Sequence, residues 1–189
     1  PRRAHARGRA HPCPGPVPLP SGRAGAAVLA SATMRAPRPW EVLETEELQD
    51  CAVFRVSRSL AREPASGRVH PFFRIDARAW VNVVPRTRDG RIVMVRQYRH
   101  GSREVTLEIP GGIVDPGESP AEAAARELRE ETGYAAPRLV ELGSVSPNPA
   151  LFGNRCHTFL APDVEPAGPV ENPGLEETVV ELVPAAEIP

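Results

Sequence analysis

Residues 112–134 read GIVDPGESPAEAAARELREETGY. The first seven hold two glycines and a proline and read as a loop. Ser119 suits a helix N-cap, Pro120 the first helical position and Glu122 the third, a Ser-Pro-Ala-Glu capping box. Alanines, Leu128 and long straight-chain residues sustain the helix, and Gly133 is placed to end it in the left-handed conformation. The segment therefore predicts a loop followed by roughly three to four helical turns. Glu127, Glu130 and Glu131 stand at i, i+3 and i+4 and share one face, while Ala124 and Leu128 share another that suits packing on a sheet. Carboxylates so close repel, and a hard divalent cation such as Mg²⁺ or Mn²⁺ removes that cost. Arg126 is placed to orient or neutralise one of them. The bland alternative is a solvated acidic face salted by Arg126 and Arg129, the commoner meaning of such a pattern taken alone.

Outward from this segment the chain reads as strands. Cys51–Val56 and Val69–Ile75 alternate in hydrophobicity around a turn-like Glu-Pro-Ala-Ser-Gly-Arg, which predicts an antiparallel pair. Phe54, Phe72 and Phe73 are expected as core or dimer contacts. Residues 79–85 and 91–99 flank Asp89-Gly90, a hairpin signal, and 104–110 form a further strand leading into Gly111-Gly112. Beyond the helix, 138–145, 156–161 and 178–183 read as strands, with loops around Pro147, Asn148 and Pro149 and over 162–174. A mixed sheet interrupted by one strong helix predicts an α/β (α+β) sandwich.

The chain has 189 residues and a formal net charge of −1, an average over unlike regions. Residues 1–40 hold seven arginines and no acid, leaving 16 basic against 24 acidic residues in the remainder. An acidic body argues against general nucleic-acid or membrane-surface binding. Residues 1–39 are rich in Pro, Gly, Ala and Arg without apolar periodicity, so disorder is expected there. They faintly resemble a signal or transit peptide, but the favoured reading makes Met34 the biological start, with non-native sequence before it. Cys13, Cys51 and Cys156 are widely spaced and odd in number, so a reducing, cytoplasmic setting is expected and neither a disulfide framework nor zinc. No stretch has the length and apolarity of a membrane span.

The segment 112–134 resembles the Nudix box, matching it at Gly112, Glu118, Arg126, Glu127, Leu128, Glu130, Glu131, Gly133 and, loosely, Tyr134. The stretches Val-Arg-Gln-Tyr-Arg-His-Gly at 95–101 and Leu-Glu-Ile-Pro-Gly-Gly at 107–112 resemble the ADP-ribose pyrophosphatase branch of that family. The strand pair ahead of the core and Pro147 or Pro149 after the box fit the same branch, and the likeness spans residues 42–188. It implies the Nudix fold, a mixed β-sheet between helices, with 40–78 a dimerisation and substrate-pocket element and 79–189 the catalytic core. Two departures stand out. Gly111 replaces a frequent Ala, and the chain stops after Glu187-Ile-Pro where the family continues into a terminal helix, so the core is expected to lack that helix.

The resemblance further implies a homodimeric, Mg²⁺-dependent pyrophosphohydrolase (Mn²⁺ as substitute) with a small nucleotide substrate. Splitting ADP-ribose into AMP and ribose 5-phosphate is the expected reaction. Glu127, Glu130, Glu131 and the Gly111 carbonyl are implied as metal ligands, and Arg126 as the residue holding a ligand carboxylate. Glu118 is expected to support the loop–helix junction. Glu176 or Glu177 is the implied general base, with solvated loop charge as the alternative for either. Arg99 is placed to contact a substrate phosphate or ribose, or is an ordinary surface arginine, and Glu108 either meets the substrate or caps the turn. Rival substrates are nucleotide sugars, NADH, diadenosine polyphosphates and nucleoside triphosphates. A rival from another class is a non-catalytic nucleotide-binding regulator with this fold. Such proteins usually lose a box carboxylate, whereas all three are present here.

Overall fold

A computed structural model of the chain describes residues 36–172 and 177–188. From Arg38 onward they form one compact unit. It opens with β1 (Glu41–Asp50), β2 (Phe54–Arg62) and β3 (Val69–Ala77), a three-stranded antiparallel meander. The expected pair is β2–β3, joined face to face from Phe54↔Ala77 to Arg62↔Val69. The strand ahead of it, β1, was not expected. Its sequence EVLETEELQD has no alternation because all ten residues are exposed, and backbone pairing to β2 fixes it instead. Phe72 and Phe73 are 47% and 55% exposed, so neither is a core residue of this chain.

The second sheet holds β4 (Trp80–Arg86), β5 (Arg91–Arg99), β6 (Glu104–Glu108), β7 (Gly111–Ile113), β9 (Val140–Val145), β10 (Cys156–Pro162) and β12 (Thr178–Pro184). The order runs β12-β5-β4-β10-β9, with β6 on β5 and β7 on β4. Only β4 and β10 pair in parallel, which makes the sheet mixed. Two-residue strands β8 (Tyr134–Ala135) and β11 (Glu165–Pro166) form a separate small ladder. β3 is tied to the loop between β9 and β10, where Ile75 exchanges hydrogen bonds with Leu151 and Gly153.

One α-helix, α1 (Pro120–Thr132), lies on the second sheet, with a 3-10 turn at Ala185–Glu187. Ser119 and Glu122 form the reciprocal capping box, and Gly133 closes the helix at φ 70°. Side chains alternate across β4 and β5, so Val81, Val83 and Val93 face α1. There they pack with Ala123, Ala124, Leu128, Phe159 and Ala161. Ile92, Met94 and Val183 form the smaller cluster on the reverse face, with Val84, Leu107 and Ile109. Among the described residues α1 is the only α-helix, and none is long and apolar enough to cross a membrane.

Candidate active site

β4 and β5 leave the Asp89-Gly90 turn paired only at Arg86↔Ile92 and then diverge. The 104–113 segment enters the gap, β6 along β5 and β7 along β4, with Val83 N–H donating to Pro110 O. This wedge puts Gly111 and Gly112 beneath α1. A Cβ on Gly111 would lie 2.2 Å from Val81 O, and one on Gly112 would lie 2.2 Å from Glu127 Oε1. At Gly111 the neighbour is backbone, so the close approach requires glycine; at Gly112 it is the end of the Glu127 side chain, which a Cβ would push out of place.

The carboxylates of α1 are held by the chain itself. Arg126 donates to both oxygens of Glu118 at 3.0 Å, to Glu127 at 2.9 Å, to Glu130 at 3.1 Å and to the Ile113 carbonyl at 3.1 Å. The guanidinium pKa is pushed further above its usual value, first by Glu118 and then by Glu127 and Glu130, against the opposing effect of burial. Glu118 is held below the ordinary carboxylate range by Arg126, the junction role expected of it. Glu131, 5% exposed, accepts from Gly111 N–H at 2.9 Å, while its backbone carbonyl accepts from Thr178 Oγ1 at 2.9 Å. Glu171 N–H likewise covers the carbonyl of Glu130, and Gly133 N–H that of Arg129, so three carbonyls of the last turn of α1 have partners.

Glu127 and Glu131 line a cavity of about 770 Å³. At one end Arg99 grips Glu108 through Nε and Nη2 at 3.0 and 2.7 Å, and Thr106 Oγ1 donates to the same carboxylate. Arg99, then Thr106, hold the Glu108 pKa below its ordinary value against burial. Glu108 is thus the partner that aims Arg99 into the cavity, a part the sequence left open. The structure brings Arg99, Glu108, Gly111, Arg126, Glu127 and Glu131 to this one cavity. Glu130 sits behind it on Arg126. Glu177 is exposed and outside the cavity lining, and Glu176 lies outside the described residues. Trp80, Asn82, His100 and Asp115 also line it; His100 and Asp115 lie within the family-like stretches 95–101 and 112–134, whereas nothing in the neighbourhood of Trp80 and Asn82 signals the site. Trp80 and Asn82 arrive through the pairing of β4 with β7, which no local pattern encodes.

Among the described residues no three His, Cys, Asp or Glu side chains form a ready metal-ligand group. The donor chemistry nevertheless fits a hard divalent ion. Mg²⁺ is commonly held by one or two carboxylates, with waters and substrate phosphates completing its shell, and Glu127 and Glu131 beside the Gly111 backbone supply that number.

Residues 76–189 match the NUDIX domain family, and the chain belongs to it. Its relatives include the ADP compounds hydrolase NudE of Escherichia coli, 34% identical over 127 residues, 66% of this chain and 67% of that protein. The ADP-ribose pyrophosphatase of Mycobacterium tuberculosis is 32% identical over 130 residues, 68% of this chain and 62% of the relative. That of Bacillus subtilis is 38% identical over 84 residues, so the match spans only 45% of its length. A crystal structure of an ADP compounds hydrolase superposes with a TM-score of 0.72 at 28% identity, covering 81% of this chain and 82% of the other.

Proposed function

We propose that the protein hydrolyses the pyrophosphate bond of a nucleoside diphosphate linked to a second group, with ADP-ribose as substrate and AMP and ribose 5-phosphate as products. The observation that carries this reading is the single cavity joining two α1 carboxylates, the Gly111-Gly112 corner and the Arg99–Glu108 pair. The names of the relatives support the same substrate class. Oxygen from water bonds to one phosphorus, the bond from that phosphorus to the bridging oxygen breaks, and the bridging oxygen leaves with the other phosphate.

Glu127 and Glu131, beside the Gly111 carbonyl, would hold Mg²⁺, with Glu130 joining them only on turning away from Arg126. Bound there, the ion would supply charge neutralisation at the phosphates and would acidify a water near neutral pH. Arg126 fixes the carboxylates that must face the ion. Arg99 presents its forked donors to a phosphate or ribose oxygen, steadied by Glu108. The water's proton goes to a carboxylate on the loop before β12, Glu176 or Glu177.

The test is product analysis by chromatography with Mg²⁺ on ADP-ribose, NADH, GDP-mannose, diadenosine tetraphosphate and nucleoside triphosphates. We expect preferential conversion of ADP-ribose to AMP and ribose 5-phosphate. Preference for another nucleotide would replace the substrate, and no turnover of any by folded protein would leave a nucleotide-binding regulator.

The β1–β3 sheet is the dimer element of this proposal. Leu43, Leu48, Phe72 and Phe73 are each more than 40% exposed there, apolar side chains on the two faces of the sheet that a second copy would help to cover. Sedimentation is expected to give twice the chain mass, and a monomer at micromolar concentration removes this element. A cytoplasmic setting completes the proposal, resting on cysteine usage alone.

A further inference from the structure

β4 sends Val81 and Val83 into the core under α1, so Trp80 and Asn82 face the other way. An indole at that place would ordinarily be covered, yet Trp80 is 41% exposed and belongs to neither apolar cluster. It is not loose. Its backbone N–H donates to Arg155 O at 3.0 Å, and it stands in register beside the buried Cys156 on β10. An indole carried on a paired strand and left partly open on a cavity wall is poised to meet a flat ligand.

Its place along the cavity says which part of the ligand. The β4–β7 register sets Trp80 beside Ile113, Val81 beside Gly112 and Asn82 beside Gly111. Trp80 therefore lies two strand residues, roughly 6–7 Å, from the Gly111 corner. Arg99, His100 and Glu108 belong to the other branch of the wedge, on β5, β6 and their turn. The carboxylates of Glu127 and Glu131 thus lie in a cavity with an aromatic group on one branch and a forked cation on the other. A diphosphate at the carboxylates, carrying a base on one side and a hydroxylated or phosphorylated group on the other, matches that layout.

We propose that Trp80 is the surface on which the substrate's nucleobase stacks, making it the residue that selects nucleotides over other diphosphate esters. This rests on the nucleotide-hydrolase reading above, and deepens it. Stacking is tolerant of base identity because every base has a π-face, so Trp80 selects for an aromatic group rather than for one base.

The chain has two tryptophans, so a Trp40→Phe background leaves Trp80 as the sole indole emitter. In that background AMP is expected to quench the emission and ribose 5-phosphate to leave it unchanged. In the full chain, Trp80→Ala is expected to raise KM for ADP-ribose about tenfold with kcat little changed, while Trp80→Phe keeps most of the affinity. Emission that AMP does not alter, or an unchanged KM in Trp80→Ala, overturns the proposal. The fluorescence arm decides alone should Trp80→Ala fail to fold. Turnover of ADP-ribose without quenching sinks the stacking role and spares the activity. Quenching by AMP without turnover of ADP-ribose does the reverse.

Discussion

Glu131→Gln lowers kcat about a thousandfold and shifts the melting midpoint by no more than about 2 °C. The two halves of this expectation come from different atoms. A metal-bound carboxylate contributes several kcal/mol to stabilising phosphoryl charge, and each 1.36 kcal/mol is a factor of ten. Glutamine has the same shape and keeps a carbonyl oxygen for the Gly111 N–H, while the Thr178 bond goes to the Glu131 backbone and is untouched. Glu130→Gln is the internal contrast, since that carboxylate is turned to Arg126, and its loss of kcat is expected to be much smaller. Steady-state kinetics with melting curves on both variants check this. Equal losses would mean that Glu130 swings into the cavity when metal and substrate bind.

Arg126→Met costs about 3 kcal/mol of stability, a fall in midpoint of roughly 6–12 °C. Methionine keeps the apolar stem, so the loss isolates the guanidinium. The side chains of Glu118, Glu127 and Glu130 are 17%, 13% and 18% exposed, and without Arg126 they face one another half-desolvated. Removing one partner of a buried ion pair leaves the other uncompensated, which is the costly case. Divalent cation supplies the same counter-charge from outside. Mg²⁺ is therefore expected to raise the midpoint of the variant by more than it raises the wild type, as read by thermal melts across a Mg²⁺ titration. An equal rise in both would show that the ion does not reach the carboxylates that Arg126 serves.

The sequence was most legible where the physics is local. The capping box acts within four residues, the spacing of Glu127, Glu130 and Glu131 follows from one helical turn, and the left-handed Gly133 has no Cβ to oppose it. Each needs only its neighbours, and each stands where it was expected. Strand positions after residue 79 followed from β-rich runs bounded by turn residues, which are also local signals. What stayed hidden depends on pairing. β1 has no alternation to detect because neither of its faces is buried, and the cavity residues Trp80 and Asn82 are set by the β4–β7 register. Arg99 and Glu108 could be named from sequence, but not their mutual grip, which forms only when β5 and β6 lie side by side. Glu177 shows the limit from the other side: an acidic loop is easy to find, and which of its carboxylates reaches the cavity is not.

The bond from Thr178 to the Glu131 carbonyl couples the site to the order in which the chain is made. A ribosome translates the box, the Gly111-Gly112 corner and the Arg99–Glu108 pair well before it reaches β12. A nascent chain halted at residue 170 already owns every cavity carboxylate named here, yet its α1 ends without the strand that ties down its last turn. The acidic helix would be assembled early and locked late. Pairing of β12 with β5, rather than synthesis of the motif, is then the step that puts Thr178 in place against α1.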